Sequence, residues 1–396
     1  MTDNGRSTRL ATSLDGQSWD NQALVEELRS ASDVPEGGHW SVWNWHHTDP
    51  PPSPLEVVIA VPNDTRSASA MHEFLDAVGR QLKRAFGLFC SERGWPPCSY
   101  RLRPTTSNDG EWSYAISLPG GPKAEGRLKP AKLLLMGDEK QLSPLLGLET
   151  VDPILGLPAK WIARSQLGAA HSAQLHLFDG PGLVAAHSLH LIGELWHRTF
   201  GFLEVQHWML AALPSHTQLL TAVLPRQAGL FLQTVKDMVA DHLWLPHPGV
   251  FLELFAAALP ELDHQELDGN LLRELMRKDI VPLNLGRFVD GDGTLHAVEW
   301  KGEPEGDDAD QSRLLNRLGA ALLDSHDHHG APVVLTDFES RLALSQVLRG
   351  PFPYLPVLSW AELPAHARLN VVAVIDARFD VDPTPWRYAT FKTTMP

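Results

Sequence analysis

The sequence predicts an α+β chain of several subdomains: a strand-rich mixed region, then a helical region, then a terminal α/β region. Three observations point there. Short β-rich apolar runs recur at 55–61, 99–103, 112–118, 132–136 and 173–179, separated by turn-forming residues. From 181 to 278 the apolar residues fall at helical spacing instead. Beyond 282, apolar runs and helical stretches alternate. With 396 residues and 43% apolar content the chain is long enough for two to four compact units, at roughly 100 to 200 residues each.

Residues 1–54 read as an appendage. An amphipathic helix is predicted over 21–29, where Leu24, Val25 and Leu28 share a face. The following stretch, GGHWSVWNWHHTDPPPSP, carries Trp40, Trp43 and Trp45 and ends in a stiff, extended proline run that marks a boundary. LEVVIAV at 55–61 is a strand, and Met71, Phe74, Leu75, Val78, Leu82 and Phe86 then recur as one face of a helix. The strands at 99–103, 112–118 and 132–136 are divided by turn formers such as SNDG and PGGP, and AQLHLFD at 173–179 closes the mixed region.

Asp179 and Gly180 are helix caps with Pro181 at the tolerated first position, and Val184, Leu191, Ile192 and Leu195 form the apolar face that follows. Further helices are predicted over 202–212, 230–241, 250–258 and 265–277, a helical domain of about a hundred residues. In the last region the DGDG of 290–293 is a hairpin turn between apolar runs, and 311–323 is a helix. Strands at 333–335, 357–358 and 371–375 then alternate with a helical stretch at 342–348.

Composition narrows the function classes. The longest apolar stretch, GVFLELFAAAL at 249–259, is broken by charge well short of the ~20 residues that cross a bilayer. The polar start MTDNGRSTRL lacks the apolar core of a secretory signal. No membrane insertion and a cytoplasmic location are the expectations. Cys90 and Cys98 are too few for a disulfide framework and match no zinc or redox spacing. A net charge of −15 with no basic stripe argues against nucleic acid as a partner.

Several runs, taken in order, are similar to the FHIPEP family of type III secretion and flagellar export gates. DAVGRQLKRAFG at 76–87 resembles that family's IRRQLA-type helix, and WSYAISLPGGPKAEGRLKPAKLL at 112–134 resembles its Y-x-I-x-L-x-G strand pair. VDPILGLPAKWI at 151–162 is similar to its signature turn. VAAHSL at 184–189 resembles its ATHL helix, and Glu204-Val205-Gln206 its E-x-Q. APVVLTDFESRLALSQVLRGPFPYLPVLSWAE at 331–362 is close to its terminal signature. The similarity spans residues 55–377 and reaches only the cytosolic half of that family, without the membrane half.

The resemblance implies a strand-rich first subdomain at 55–104 and 151–180 with a small sheet inserted at 105–150. It implies a helical subdomain at 181–281, a terminal α/β subdomain at 282–380 and a tail at 381–396. It also implies a ring of subunits that docks export chaperones and substrates in a groove beside the insertion. The groove floor falls on Asp152, Leu155 and His176, where Asp152 matches the family, Leu155 replaces an aromatic residue and His176 replaces a hydroxyl residue. Trp40, Trp43 and Trp45 occupy the place of the family's linker, which packs on a neighbouring subunit, and aromatic residues dominate binding hot spots. Two further departures bear on ring contacts. Gly201-Phe202-Leu203-Glu204 replaces G-R-Q-E, and 243–248, LWLPHP, replaces V-x-I-R-D and is stiffened by two prolines.

Each sharp reading has a plainer one beside it. Asp152 caps the turn before Pro153 if it does not contact a partner, as Asp-Pro dipeptides commonly do. His326-Asp327-His328-His329, with Asp324 nearby, has metal-site composition, yet adjacent loop residues cannot easily wrap one ion, and a solvated loop is expected. DGDG lacks the remaining ligands of a calcium loop. His187 falls on an apolar face and is expected to be a satisfied core histidine. No phosphate-cradling loop, nucleophile elbow or H-E-x-x-H is present, so no catalytic residue, metal or cofactor is expected.

The function these observations imply is a non-enzymatic docking platform for protein partners, derived from a secretion export gate. The alternatives are the cytosolic half of a split gate completed by a separate membrane subunit, and, with little support, a metal-dependent hydrolase.

Overall fold

The computed structural model describes residues 55–377 apart from 64, 108, 138, 169–174, 262–268, 303–307, 330–331 and 353–354. The helix expected at 21–29, Trp40, Trp43, Trp45 and the tail lie outside the described residues. The chain divides into two compact units, 1–217 and 218–396.

In the first unit, strand β1 (Leu55–Pro62) alternates, turning Leu55, Val57, Ile59 and Val61 into the core. Helix α1 (Thr65–Arg93) follows and buries Val78, Leu82, Phe86 and Cys90, one residue per turn. It serves as the crossover that lets β2 (Tyr100–Ser107) lie parallel to β1, a join no tight turn can make. β3 (Trp112–Ser117) pairs antiparallel with β1 on its other side, and β4 (Lys123–Leu128) pairs with β3, giving the order β2-β1-β3-β4. The sequence reading missed β4 because three of the six residues of KAEGRL are charged and only Leu128 is buried. These pairings run across the limit drawn at 104/105, since period-two alternation marks strands without naming their partners.

A second sheet follows. β5 (Lys132–Met136), the single-turn helix α2 (Glu139–Leu142), β6 (Gly147–Val151), β7 (Pro158–Ala163) and β8 (His176–Phe178) give an antiparallel sheet in the order β6-β7-β5-β8. Leu133, Leu135, Leu142, Leu145 and Ile162 form the core on one face. β6 and β7 carried no clear alternation, because β6 is exposed along most of its length and β7 is buried through four consecutive residues. Of the expected 173–179 strand, residues 175–179 are described, and only the three residues of β8 among them are strand.

Helix α3 (Gly180–Ile192) starts as the sequence predicts: Asp179 accepts a hydrogen bond from the Gly182 amide at 2.8 Å, with Pro181 in the first turn. After it, Trp196 is fully buried and donates from Nε1 to the Pro96 carbonyl at 3.0 Å. Its ring meets Phe89 at 4.8 Å and Phe86 at 5.6 Å, so Trp95 and Trp196 belong to an aromatic core, not a contact surface. α4 (Phe202–Met209) is capped by Glu204, which accepts from the Gly201 amide at 2.8 Å and from the Ser99 hydroxyl. α5 (Leu213–Ala240) is non-helical at His216 (φ −126°, ψ 17°), beside the limit between the units.

The second unit holds the rest of α5, α6 (Pro248–Ala258), α7 (Gly269–Asn284) and a parallel α/β layer. That layer comprises β9 (Thr294–Lys301), α8 (Asp308–His329), β10 (Val333–Thr336), α9 (Phe338–Arg349), β11 (Val357–Ser359) and β12 (Arg368–Asp376), with strands in the order β11-β10-β9-β12. Val298, Trp300, Leu318, Val334, Leu344 and Leu348 fill its core.

Two expectations are corrected here. DGDG is a turn, but the strand before it amounts to a single bridge, Val289 to Leu295, because β9 takes its ladders from β10 and β12. The Asp290 carboxyl closes that turn by accepting from His296 and from the Thr294 and Asp292 amides, which hold its pKa down at about 2. Residues 326–329 are not a loop: α8 runs on to His329, since no Gly or Pro interrupts the chain between Leu322 and Gly330.

LWLPHP, stiffened by its two prolines, is held by specific bonds. Asn284 accepts from the Trp244 amide at 2.9 Å and donates to its carbonyl at 3.0 Å, while His247 Nδ1 accepts from the Gly249 amide at the start of α6. Nearby, α7 sends Arg273 and Arg277, four residues apart, into the interior. Arg277 donates to Glu362 at 2.6 Å and to Asp241 at 2.8 Å, and Arg341 donates to Glu274 at 2.6 Å. Burial disfavours the Asp241 carboxylate, yet Arg277, Arg341, Arg273 and Arg349 outweigh it and hold its pKa below the usual value.

Candidate functional site

The turn between β6 and β7 begins with a backbone instruction. Pro153 fixes its own φ and has no N–H, so Asp152 must be extended and its carboxylate is free to fold over the next amides. It does so: Oδ1 accepts from the Ile154 amide at 2.9 Å and Oδ2 from the Leu155 amide at 2.7 Å. The Asp152 amide donates to the Leu157 carbonyl at 2.8 Å, and the Gly156 amide donates back to the Asp152 carbonyl at 3.0 Å. Gly156 has φ +71°, a left-handed conformation in which a side chain would be strained.

The result is a rigid turn with its acid inside and its apolar residues outside. Asp152 is 1% exposed, whereas Leu155 is 57% exposed. Asp152 therefore performs the capping role, and the exposed contact surface of the turn is apolar.

His176 joins this end of the sheet through register. It pairs with Met136, Met136 pairs with Ala159, and Ala159 pairs with Thr150, two residues from Asp152. His176 is exposed on the edge strand β8. The three positions thus share one end of the second sheet, with Leu155 and His176 on its surface. Trp40, Trp43 and Trp45 lie outside the described residues.

Sequence reasoning missed the polar cluster near Asp152. The Tyr114 hydroxyl lies 2.8 Å from His187 Nδ1, with the rings edge to face at 5.7 Å, and both side chains are buried. Burial, then the Asp152 charge, raises the Tyr114 pKa, so its hydroxyl stays protonated and donates. Burial pushes the His187 pKa below 6.5, His190 pushes it the same way, and Asp152 opposes both. His187 is accordingly a neutral core histidine whose Nδ1 accepts. Gly126, opposite Tyr114 in the β3–β4 ladder, makes room for the ring, because a Cβ there would lie 2.6 Å from the hydroxyl. The signal in the sequence was Tyr114 itself, a polar-tipped residue on the buried face of WSYAIS.

Chemically, this arrangement shapes a surface and carries no activated nucleophile. Burial raises the thiols of Cys90 and Cys98 to about 11 and about 12, away from the reactive thiolate. Among the described residues no group of three His, Cys, Asp or Glu side chains could hold a metal ion, and no helix is long and apolar enough to cross a membrane.

Residues 62–368 match the model of the FHIPEP family. The chain is 24% identical over 284 residues to the flagellar biosynthesis protein FlhA of Bacillus subtilis, covering 66% of this chain and 41% of that protein. It is 27% identical over 277 residues to FlhA of Salmonella typhimurium, covering 67% and 40%. The chain therefore spans about two fifths of the length of these relatives. Among solved structures, the Chlamydia pneumoniae CdsV protein superposes with a TM-score of 0.59 at 16% identity, over 83% of this chain and all of that one. The nonameric EPEC SctV-C gives 0.56 at 15% identity, over 83% and 99%. A complex of Chlamydia pneumoniae CdsV and CdsO gives 0.56 at 16% identity, over 81% and 96%. These likenesses establish the α+β multi-subdomain fold expected from the sequence.

Proposed function

The chain belongs to the FHIPEP family, and on that premise we propose that it is a cytoplasmic, non-enzymatic docking platform for protein partners in, or derived from, a type III protein secretion apparatus. The observation that carries this reading is the rigid β6–β7 turn, which holds Leu155 outward on a scaffold locked by buried Asp152. Leu155 supplies apolar burial and His176 a polar contact at the same end of the sheet, while Asp152 positions the turn. Secretion chaperones or their cargo are the partners this surface fits, and the limits given from the resemblance for the helical and terminal subdomains, 181–281 and 282–380, belong to the same proposal.

A homo-oligomeric ring is part of this reading. Its support is the similarity to a domain solved as a nonamer, and Trp40, Trp43 and Trp45 are the residues we assign to contact with a neighbouring subunit. The test is capture of purified chaperones from the same genome by the full chain and by Leu155→Ala and Asp152→Ala variants. Binding that weakens about tenfold in Leu155→Ala supports the siting. Unchanged binding in both variants overturns it.

A further inference from the structure

The described sheets end in six edge strands, and most are guarded against added strands. β2 carries Arg101, Arg103 and Pro104, and β4 alternates Lys123, Glu125 and Arg127. β8 and β11 are three residues long, and β12 is interrupted by a register shift between Val371 and Ala373. β6 differs: its five residues GLETV contain one charge, and Leu146, Leu148 and Val151 are 80%, 52% and 63% exposed.

The direction of its backbone groups follows from the ladder. Asp152 bonds inward to Leu157, so Thr150 and Leu148, two and four residues earlier, also point inward at β7. Leu146 keeps the same parity, its amide and carbonyl being held by the Gln166 side chain at 3.0 and 2.7 Å. The N–H and C=O groups of Gly147, Glu149 and Val151 therefore face away from β7 along an open edge. Close approach fixes this strand against β7, since a Cβ on Gly147 would lie 2.5 Å from the Trp161 carbonyl oxygen.

Charge selects the occupant. The Glu149 side chain is 86% exposed, and Lys160, at 3.6 Å, is already engaged with the Leu142 and Leu145 carbonyls at 3.1 Å each. A second copy paired in full overlap would set Glu149 against Glu149, a destabilising cross-strand pair. We propose that β6 takes an added antiparallel strand from a protein partner: an extended segment with apolar residues facing Leu146, Leu148 and Val151 and a lysine or arginine facing Glu149. This rests on the reading that the first unit receives protein partners, and it names the chemistry of the segment it receives.

The probe is a fluorescein-labelled octapeptide, Thr-Val-Thr-Lys-Val-Thr-Val-Thr, whose lysine falls opposite Glu149 and whose valines fall opposite Val151, Leu148 and Leu146, added to the full chain. Fluorescence anisotropy reads affinity and amide exchange reads location. The expected result is slowed exchange confined to the segment carrying Gly147, Glu149 and Val151. N-methylation of the lysine amide and of the amides two residues either side should weaken binding at least tenfold. Glu149→Pro should do the same, because it deletes an outward N–H that the β6–β7 ladder does not use. Glu149→Lys should reverse the preference towards a glutamate-centred peptide.

Equal binding of the N-methylated peptide, no binding, or no protection at β6 overturns the proposal. So does concentration-dependent protection of β6 in the chain alone, which assigns the edge to a second copy. If the peptide fails while chaperone capture still depends on Leu155, the strand is overturned and the docking reading stands. If the peptide binds and capture does not depend on Leu155, the reverse holds.

Discussion

Asp152 is buried and acidic, and its effects are separable by substitution. Asp152→Ala removes both turn caps and should cost about 1 to 2 kcal/mol of stability by denaturant titration. Asp152→Asn keeps an acceptor but removes the charge that supports protonation of His187, so the His187 pKa should fall further below 6.5, read by NMR titration. The linkage sign follows. His187 has a depressed folded pKa, so the unfolded chain binds more protons below about pH 6.5. Its contribution to stability is therefore present above that pH and lost as pH falls towards the depressed value. His187→Gln should flatten that slope. Tyr114→Phe leaves Nδ1 buried without its donor and should cost about 1 to 3 kcal/mol. The sequence told that His187 was a core residue; it could not tell that Tyr114, 73 positions away, completes it.

At the scale of elements, polar groups inside helices decide more than propensity does. α7 carries Arg273 and Arg277 on a buried face with Leu272, Met276 and Ile280, a conflict that resolves because Asp241 and Glu362 come from elsewhere in the second unit to meet them and Glu274 sits beside Arg273 on α7 itself. Arg277→Ala strands Glu362 and removes one of the four arginines around Asp241, and should destabilise by about 3 to 5 kcal/mol in thermal or denaturant unfolding. Arg277→Lys should recover little, because the Glu362 contact uses both Nε and Nη2 of the planar guanidinium. Asp241 works in the same pH direction as His187, at lower pH. Its carboxylate is held below the usual value, so its contribution is present above about pH 3.8 and disappears as pH falls through the lowered value. The i, i+4 spacing of these arginines among apolar residues was visible in the sequence, whereas their partners were not.

For the whole molecule, the expectation is association. Static light scattering of the full chain should give a mass several times 43.8 kDa, rising with concentration. Replacing Trp40, Trp43 and Trp45 together with Ala should return it to one chain. A single-chain mass in both would mean a lone docking module. Order along the chain was legible at this scale: strands, helices, then an alternating α/β layer. Which strands share a sheet was not, because β1 takes both β2 and β3 as partners and β6 presents no buried face to read.

The sequence by itself determined the periodicities, the cap at Asp179, the Asp-Pro turn and the motif order that identifies the family, because each is set by neighbours a few residues apart. Only the tertiary structure decided that Asp152 faces inward while Leu155 faces outward, that Tyr114 meets His187, that four arginines gather around Asp241, and that β6 is left as an open edge. Those outcomes depend on contacts between residues tens to a hundred positions apart, where pairing geometry and burial, not local preference, set the free energy.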